Sequence, residues 1–413
     1  MPRFNETGHR ERRRFGGGLL IVLGVLVAAA LASSAGASAL PGFTWNGGGA
    51  IGAGNWSNAA NWTGGVAPSA FAGALTFPAL TDAACTAAPR TATCYDTAND
   101  LSGLSAYSIS IDDGHPYNLN GTGITLGLGG MTAAPDPSDA GGGPQIGIPI
   151  TLSANQTWTI TGGSLGQQVN IGGTVTGQAD TLGLSFSGGT FLGLGGDTEV
   201  GAISATGAGV LVDGASVNGT DGNPVGLSGG AALFIPSKGA TSGPITMSGG
   251  EIQVGQGAKP DGTLAVNGGF TLDSSSSMTF FVNGKGKTPG TAFSQLTATG
   301  DISLGNASLR IVAGSFGNQS FCGKLHTGDV LPLLKTSGSV TGEFAGLPNN
   351  ATLKFGCHKG QVKVRINYTA KSVTVKLLAH PRTLGHPPSG RFGATTTVSA
   401  YRVAPSGKSF YVR

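Results

Sequence analysis

Apolar residues in this chain come in short bursts separated by glycine, serine and asparagine. Ile150-Thr-Leu152, Trp158-Thr-Ile160, Leu182-Gly-Leu-Ser-Phe186, Val210-Leu-Val212, Ala232-Leu-Phe-Ile235, Ile252-Gln-Val254, Phe270-Thr-Leu272, Ile302-Ser-Leu304 and Leu309-Arg-Ile311 mostly alternate apolar with small or polar residues. A period of two sends successive side chains to opposite faces, so each burst predicts a short strand with one buried face. The turn signal between bursts also recurs: Ser187-Gly-Gly, Ser228-Gly-Gly, Ser248-Gly-Gly and Asn267-Gly-Gly lie 41, 20 and 19 residues apart. A single short unit cannot bury its apolar face, whereas stacked units share a core. A recurrence near 20 residues with one double step therefore predicts an all-β solenoid over residues 145–314. A β-sandwich, with turns every 8–12 residues, is the alternative the same pattern allows.

The flanks differ from this middle. Over Gln361–Thr369 the apolar Val362, Val364, Ile366 and Tyr368 alternate with Lys363, Arg365 and Asn367, and Val373, Val375 and Leu377 repeat the pattern. That is a C-terminal β-hairpin with a basic outer face, placed in a region of strands spanning 315–378. Residues 379–413, rich in proline, glycine, arginine and histidine, read as a loose basic tail. Residues 40–144 form a tryptophan-rich cap with the first strands, since Trp45, Trp56 and Trp62 fall within 18 residues. At the start, Arg10, Arg12, Arg13 and Arg14 precede an apolar run from Leu19 to Leu31, followed by Ala37-Ser-Ala39. This is the order of a signal peptide, residues 1–39, with cleavage after Ala39 and export to follow. The run is shorter than the roughly 20 residues that cross a bilayer, so no integral membrane segment is expected after removal. Arg12-Arg13-x-Phe15 also fits a twin-arginine signal, and either route leads out of the cytoplasm.

Composition narrows the class. Glycine is abundant at 74 residues but has no every-third spacing, which excludes collagen. Charged residues make up only 11% of the chain while β-branched residues recur, which argues against disorder. Glycine at this density also excludes long helices. Four cysteines fit an oxidising destination, and their spacing favours disulfides Cys85 with Cys94 and Cys322 with Cys357, three pairings being formally open. The nearest histidines, His326 and His358, stand in no C-x-x-C frame, so neither a metal site nor a cofactor is expected. Charge is unevenly placed. Residues 40–300 hold 15 acidic and 5 basic side chains, residues 301–413 hold 3 and 14, and no carboxylate side chain follows Ala345. Such a basic end attracts anionic polymers, although a solvated strand face with a loose tail has the same composition.

The segments WNGGG, NWSNAANWTGG and the following proline (Trp45 to Pro68), Tyr117 to Leu126, and LTATGDISLGNASLRI with GDVLPLLKTSGSVTGEF (Leu296 to Phe344) resemble the autotransporter-type passenger repeats of bacterial surface proteins. The resemblance spans most of residues 42–378. It implies a right-handed parallel β-helix displayed at, or released from, a bacterial surface. A self-exporting member of that family continues into a membrane β-barrel, and nothing after Leu378 is long enough for one. Export is then expected to use the N-terminal signal, leaving the product secreted or loosely held at the surface.

Parallel β-helices also carry polysaccharide hydrolases and lyases, which makes clustered carboxylates the candidates for catalysis. Asp180, Glu199 and Asp221 are 19 and 22 residues apart, a spacing that stacks them on neighbouring coils near one bond. Turn aspartates reach the same spacing without chemistry. A lyase further needs a basic residue at its substrate acid, and no lysine or arginine lies between Arg90 and Lys238. Asp112-Asp-Gly-His115 reads as a turn rather than a metal site. No G-x-x-x-x-G-K-[ST] loop is present, no specific nucleic-acid binding is indicated, and histidine is absent from residues 116–325. Trp45, Trp56 and Trp62 offer indoles for stacking on sugar rings or for plugging the first coil. The expected function is a secreted or surface-associated structural or adhesive protein without catalysis, meeting wall or matrix polysaccharide, or an anionic polymer at its basic end. The alternative is a polysaccharide-active enzyme on the same scaffold.

Overall fold

The computed structural model describes residues 40–48, 54–80, 94–112, 117–134, 143–161, 168–213, 216–236, 239–256, 262–282, 288–313, 325–357 and 360–379. Within them the chain is all-β, apart from a 3₁₀ turn at Ala59–Asn61 whose Ala60 amide donates to the Asn58 side chain. No helix among the described residues is long and apolar enough to cross a membrane.

The strands form one sheet of 21 and one of ten. In the ten-stranded sheet, strands from Asp96–Asn99 to Ser308–Ala313 pair in chain order, all in parallel. The register carries one column of inward side chains, Val169, Leu192, Leu211, Leu233, Ile252 and Met278, each 0–1% exposed. The larger sheet runs as two further parallel ladders. One carries Trp158, Leu184, Ala205, Leu227, Met247 and Leu272 in register. The other carries Val217, Ser242, Val266 and Ala298. Each pass of chain through the three ladders makes one rung, and the inward columns of all three meet in one continuous apolar cluster. Alternation dictates this arrangement: one face of each short strand is apolar and finds its cover on the facing ladders.

Rungs are longer and less even than the turn motif implied. Ladder partners stand 19 residues apart at Gly193 and Val212 but 31 apart at Thr279 and Arg310. Parallel pairing also begins well before residue 145, since Phe43–Thr44 already pairs with Phe71–Phe77 and the latter with Ser105–Asp112. Three of the Gly-Gly motifs turn the same corner, from the larger sheet into the ten-stranded one, with Gly188, Gly189, Gly229, Gly230, Gly249 and Gly250 at positive φ. Gly207 (φ +93°) fills the double step between them. Asn267-Gly-Gly turns a different corner, between Thr263–Val266 and Phe270–Leu272 within the larger sheet.

At the C-terminal end the pairing reverses. Val330–Thr336 completes a parallel ladder on one side and pairs antiparallel with Ser372–Ala379 on the other. Gly360–Thr369 pairs with that strand, and Thr352–Cys357 with Gly360–Thr369. The expected hairpin is thus the centre of an antiparallel sheet, with Val362, Val364, Ile366, Val373, Val375 and Leu377 buried on its inner face.

Candidate functional site

Of the three candidate acids, Glu199 and Asp221 meet and Asp180 stands apart in register. Glu199 pairs with Thr176 on the preceding rung, while Asp180 lies four residues further on, in a bulge between Gly177 and Thr181 that crowds against Gly201. The Glu199 carboxylate accepts from Ser216 Oγ (3.1 Å), Thr220 N (3.0 Å) and Asp221 N (3.4 Å). Its oxygens are thereby engaged in holding the turn of the next rung. Asp221 itself is exposed at the tip of that turn. Asn218 occupies the left-handed region there (φ 54°), and its buried Oδ1 accepts from Val200 N at 2.8 Å.

The same use of carboxylates recurs along the ladders. Asp96 accepts from Asn118 Nδ2, and Glu251 from Thr279 Oγ1 at 2.6 Å, each from the next strand of the ten-stranded sheet. Asp273 accepts from Ser275 and Ser276 on its own corner and from Ser248 Oγ (2.9 Å) and Gly249 N (3.2 Å) on the preceding one. The Ser276 and Ser275 hydroxyls hold its carboxyl far below the usual carboxylate range. The Ser339 hydroxyl and amide, two rungs' ends joined, likewise lower Asp301, helped by the Lys371 charge. Burial pushes Asp100 up, but the Ser57 hydroxyl and backbone donors outweigh it and leave the group lowered. Among the described residues no three His, Cys, Asp or Glu side chains converge to hold a metal ion.

The tryptophans cap the first rungs. Trp45, Trp56 and Trp62 are 0–1% exposed, so no indole face is open to a sugar ring. Trp45 and Trp62 pack edge to face at 5.2 Å, Trp56 and Trp62 at 6.1 Å, and Phe77 packs on Trp56 at 5.4 Å. Each indole N–H donates to an oxygen of the chain: Trp45 to Cys94 O, Trp56 to Thr97 Oγ1, Trp62 to Trp56 O. This is a plug, with its polar atoms satisfied as burial requires. Cys94 is a bonded rather than a free thiol, whereas Cys85, Cys322 and the side chain of Cys357 fall outside the described residues, as do Ala39 and the Asp113-Gly-His115 turn.

Sequence reasoning marked the outer face of the C-terminal hairpin as basic; the structure adds its two neighbouring strands. Lys354 stands directly across from Lys363, and Arg365 directly across from Lys376. All four are exposed. None of them has a carboxylate partner among the described residues. On the same face Thr352 stands across from Arg365, Asn367 and Thr374 form the next row, and Val330, 45% exposed, stands at the edge across from Lys376. Strand Thr352–Cys357 was not singled out in the sequence, although Leu353-Lys-Phe355 alternates as the upstream bursts do. Comparison with known proteins adds no name to these sites: no protein-family profile matches the chain, and no curated protein matches it.

Proposed function

We propose that this chain is an exported structural or adhesive protein, without catalytic activity, whose parallel ladders wind as a right-handed β-helix of the kind seen in autotransporter passengers. It works outside the cytoplasm after cleavage behind Ala39, with its cysteines oxidised in pairs, and contacts wall or matrix polysaccharide through its ladder faces. One observation carries the reading. Glu199, Glu251, Asp273 and Asp301 are each bonded to donors on an adjacent rung, so their carboxylates act as ties between rungs and not as a convergent acid and base. Satisfied ties of this kind favour a rigid stack.

A second reading, polysaccharide cleavage, is favoured only by Glu199 and Asp221 sharing one turn. The purified chain incubated with wall and matrix polysaccharides separates the two. The expected result is retention on the insoluble polymer with no new reducing ends. Release of oligosaccharide by wild type, abolished in Asp221→Asn or Asp180→Asn, overturns the structural reading. N-terminal sequencing of the exported product is expected to begin at Leu40, and a product that keeps the Leu19–Leu31 run refutes the processing step.

A further inference from the structure

We propose that the outer face of the C-terminal antiparallel sheet, carrying Lys354, Lys363, Arg365 and Lys376, binds a linear phosphodiester polymer without bases, of the polyol-phosphate kind. This rests on the extracellular, non-catalytic reading above and names its partner.

The face breaks a rule that the other described strand pairs keep. Like charges directly opposite on paired strands repel and destabilise the sheet. Here the register sets Lys354 against Lys363 and Arg365 against Lys376, two like pairs side by side. No carboxylate side chain occurs after Ala345 to relieve them. Glu199, Glu251, Asp273 and Asp301 show carboxylates bonded across rungs elsewhere, so the omission is local. A sequence that bears such a cost at one place, with every cation exposed, marks a site made for an external anion.

The spacing selects the kind of anion. Lys363 and Arg365 are two residues apart on one strand, about 6.6–6.8 Å, and each has a cationic neighbour across the ladder. Two residues of extended polypeptide span six backbone bonds. One repeat of a phosphodiester chain through three carbons also spans six bonds, so both repeats come to about 7 Å. Successive phosphates of such a polymer therefore meet successive cation pairs. An acidic polysaccharide with alternating rings offers a carboxylate on one face only once per pair of rings, a coarser repeat.

The surroundings favour neither of two other phosphate sources. Single-stranded nucleic acid is held by aromatic side chains under its bases. Membrane surfaces are held by aromatic or aliphatic groups that enter the headgroup layer. Of the exposed large hydrophobic residues described, only Val330 borders this face and none on it is aromatic. Thr352, across from Arg365, and Asn367 and Thr374, in the next row, add polar groups beside the cations that suit the hydroxyls of a polyol.

The test uses the full chain and poly(glycerol phosphate), with single-stranded DNA, a polyuronate and phosphatidylglycerol vesicles as competing probes. Wild type is compared with Lys363→Gln/Arg365→Gln and with Lys238→Gln/Lys259→Gln, which removes the same charge from positions more than 90 residues earlier in the sequence. At low salt the first variant is expected to bind poly(glycerol phosphate) roughly 30-fold more weakly than wild type. Its log K against log salt slope is expected to be shallower by about 1.4, two phosphates' worth. The Lys238/Lys259 variant keeps wild-type binding, and the melting temperature of the first variant is unchanged or slightly raised as repulsion is relieved. Equal binding by both variants overturns the proposal, and so does tighter binding of DNA, polyuronate or vesicles than of poly(glycerol phosphate). Failure of the two readings is distinguishable: wild type that ignores poly(glycerol phosphate) yet stays on wall polysaccharide without cutting it defeats the partner alone, whereas oligosaccharide release defeats the functional reading whatever the binding result.

Discussion

Asp273 is one half-buried aspartate with five donors around it, and two of them, on Ser248 and Gly249, belong to the preceding rung's corner. Because the hydroxyls favour the charged form, the folded-state group titrates below its unfolded value, near 3.9. A depressed carboxyl contributes stability that is complete above the unfolded value and is lost as pH falls below it towards the folded one. Asp301 and Asp100 are shifted in the same direction, so their losses add on the acid side. Thermal unfolding of wild type is therefore expected to be level from about pH 8 to 5 and to decline below about pH 4. Asp273→Asn is expected to melt lower than wild type at neutral pH and to converge with it as pH drops below 4. Parallel pH curves for the two proteins speak against Asp273 as a tie.

At the scale of strand and turn, the corners decide what the chain tolerates. Gly207 has φ +93°, and a Cβ there would stand 2.1 Å from Phe186 O on the preceding rung. Gly189, at the equivalent corner, has φ +75° but nothing within 4 Å of such a Cβ. Gly189→Ala is expected to cost about 1–2 kcal/mol, the penalty of the left-handed backbone. Gly207→Ala adds a collision with the neighbouring rung and is expected to cost roughly 3 kcal/mol or more. Urea midpoints at constant slope measure the difference. Equal costs imply that the rungs move apart easily, which their shared backbone bonding opposes. The Ser-Gly-Gly corners were legible because positive φ has a glycine signature. The Asp273 corner was not, since it reaches the same turn with serine hydroxyls and a carboxylate in place of glycine.

Across the described strands, the parallel ladders are covered differently at their two ends. At the N-terminal end Trp45, Trp56 and Trp62 cover the first rungs; at the other, Ser372–Ala379 pairs antiparallel on the last parallel strand and leaves it no free edge for another parallel strand. Truncating a buried indole removes its packing and leaves Thr97 without its donor partner. Trp56→Ala is thus expected to cost about 3–5 kcal/mol. Because each rung touches mainly its neighbours, hydrogen exchange should quicken first in Phe71–Phe77 and Asp96–Asn99, and least in Ser308–Ala313. Uniform loss of protection means instead that all rungs open as one unit.

Alternation alone determined that this chain is made of short strands with one apolar face, because the period of two is a property of the extended backbone and of nothing further away. The basic outer face of the hairpin was equally legible, as every second residue from Lys363 onward is polar or charged. Tertiary structure decided the rest. Whether Trp56 meets a sugar or Thr97, whether Glu199 faces Asp180 or ties down Ser216, and whether Lys363 looks out on an acid or on Lys354 all depend on which residue lies on the adjacent strand. Rungs among the described residues vary from 19 to 38 residues, so that partner is set by loop lengths and bulges between strands and not by any fixed interval along the chain.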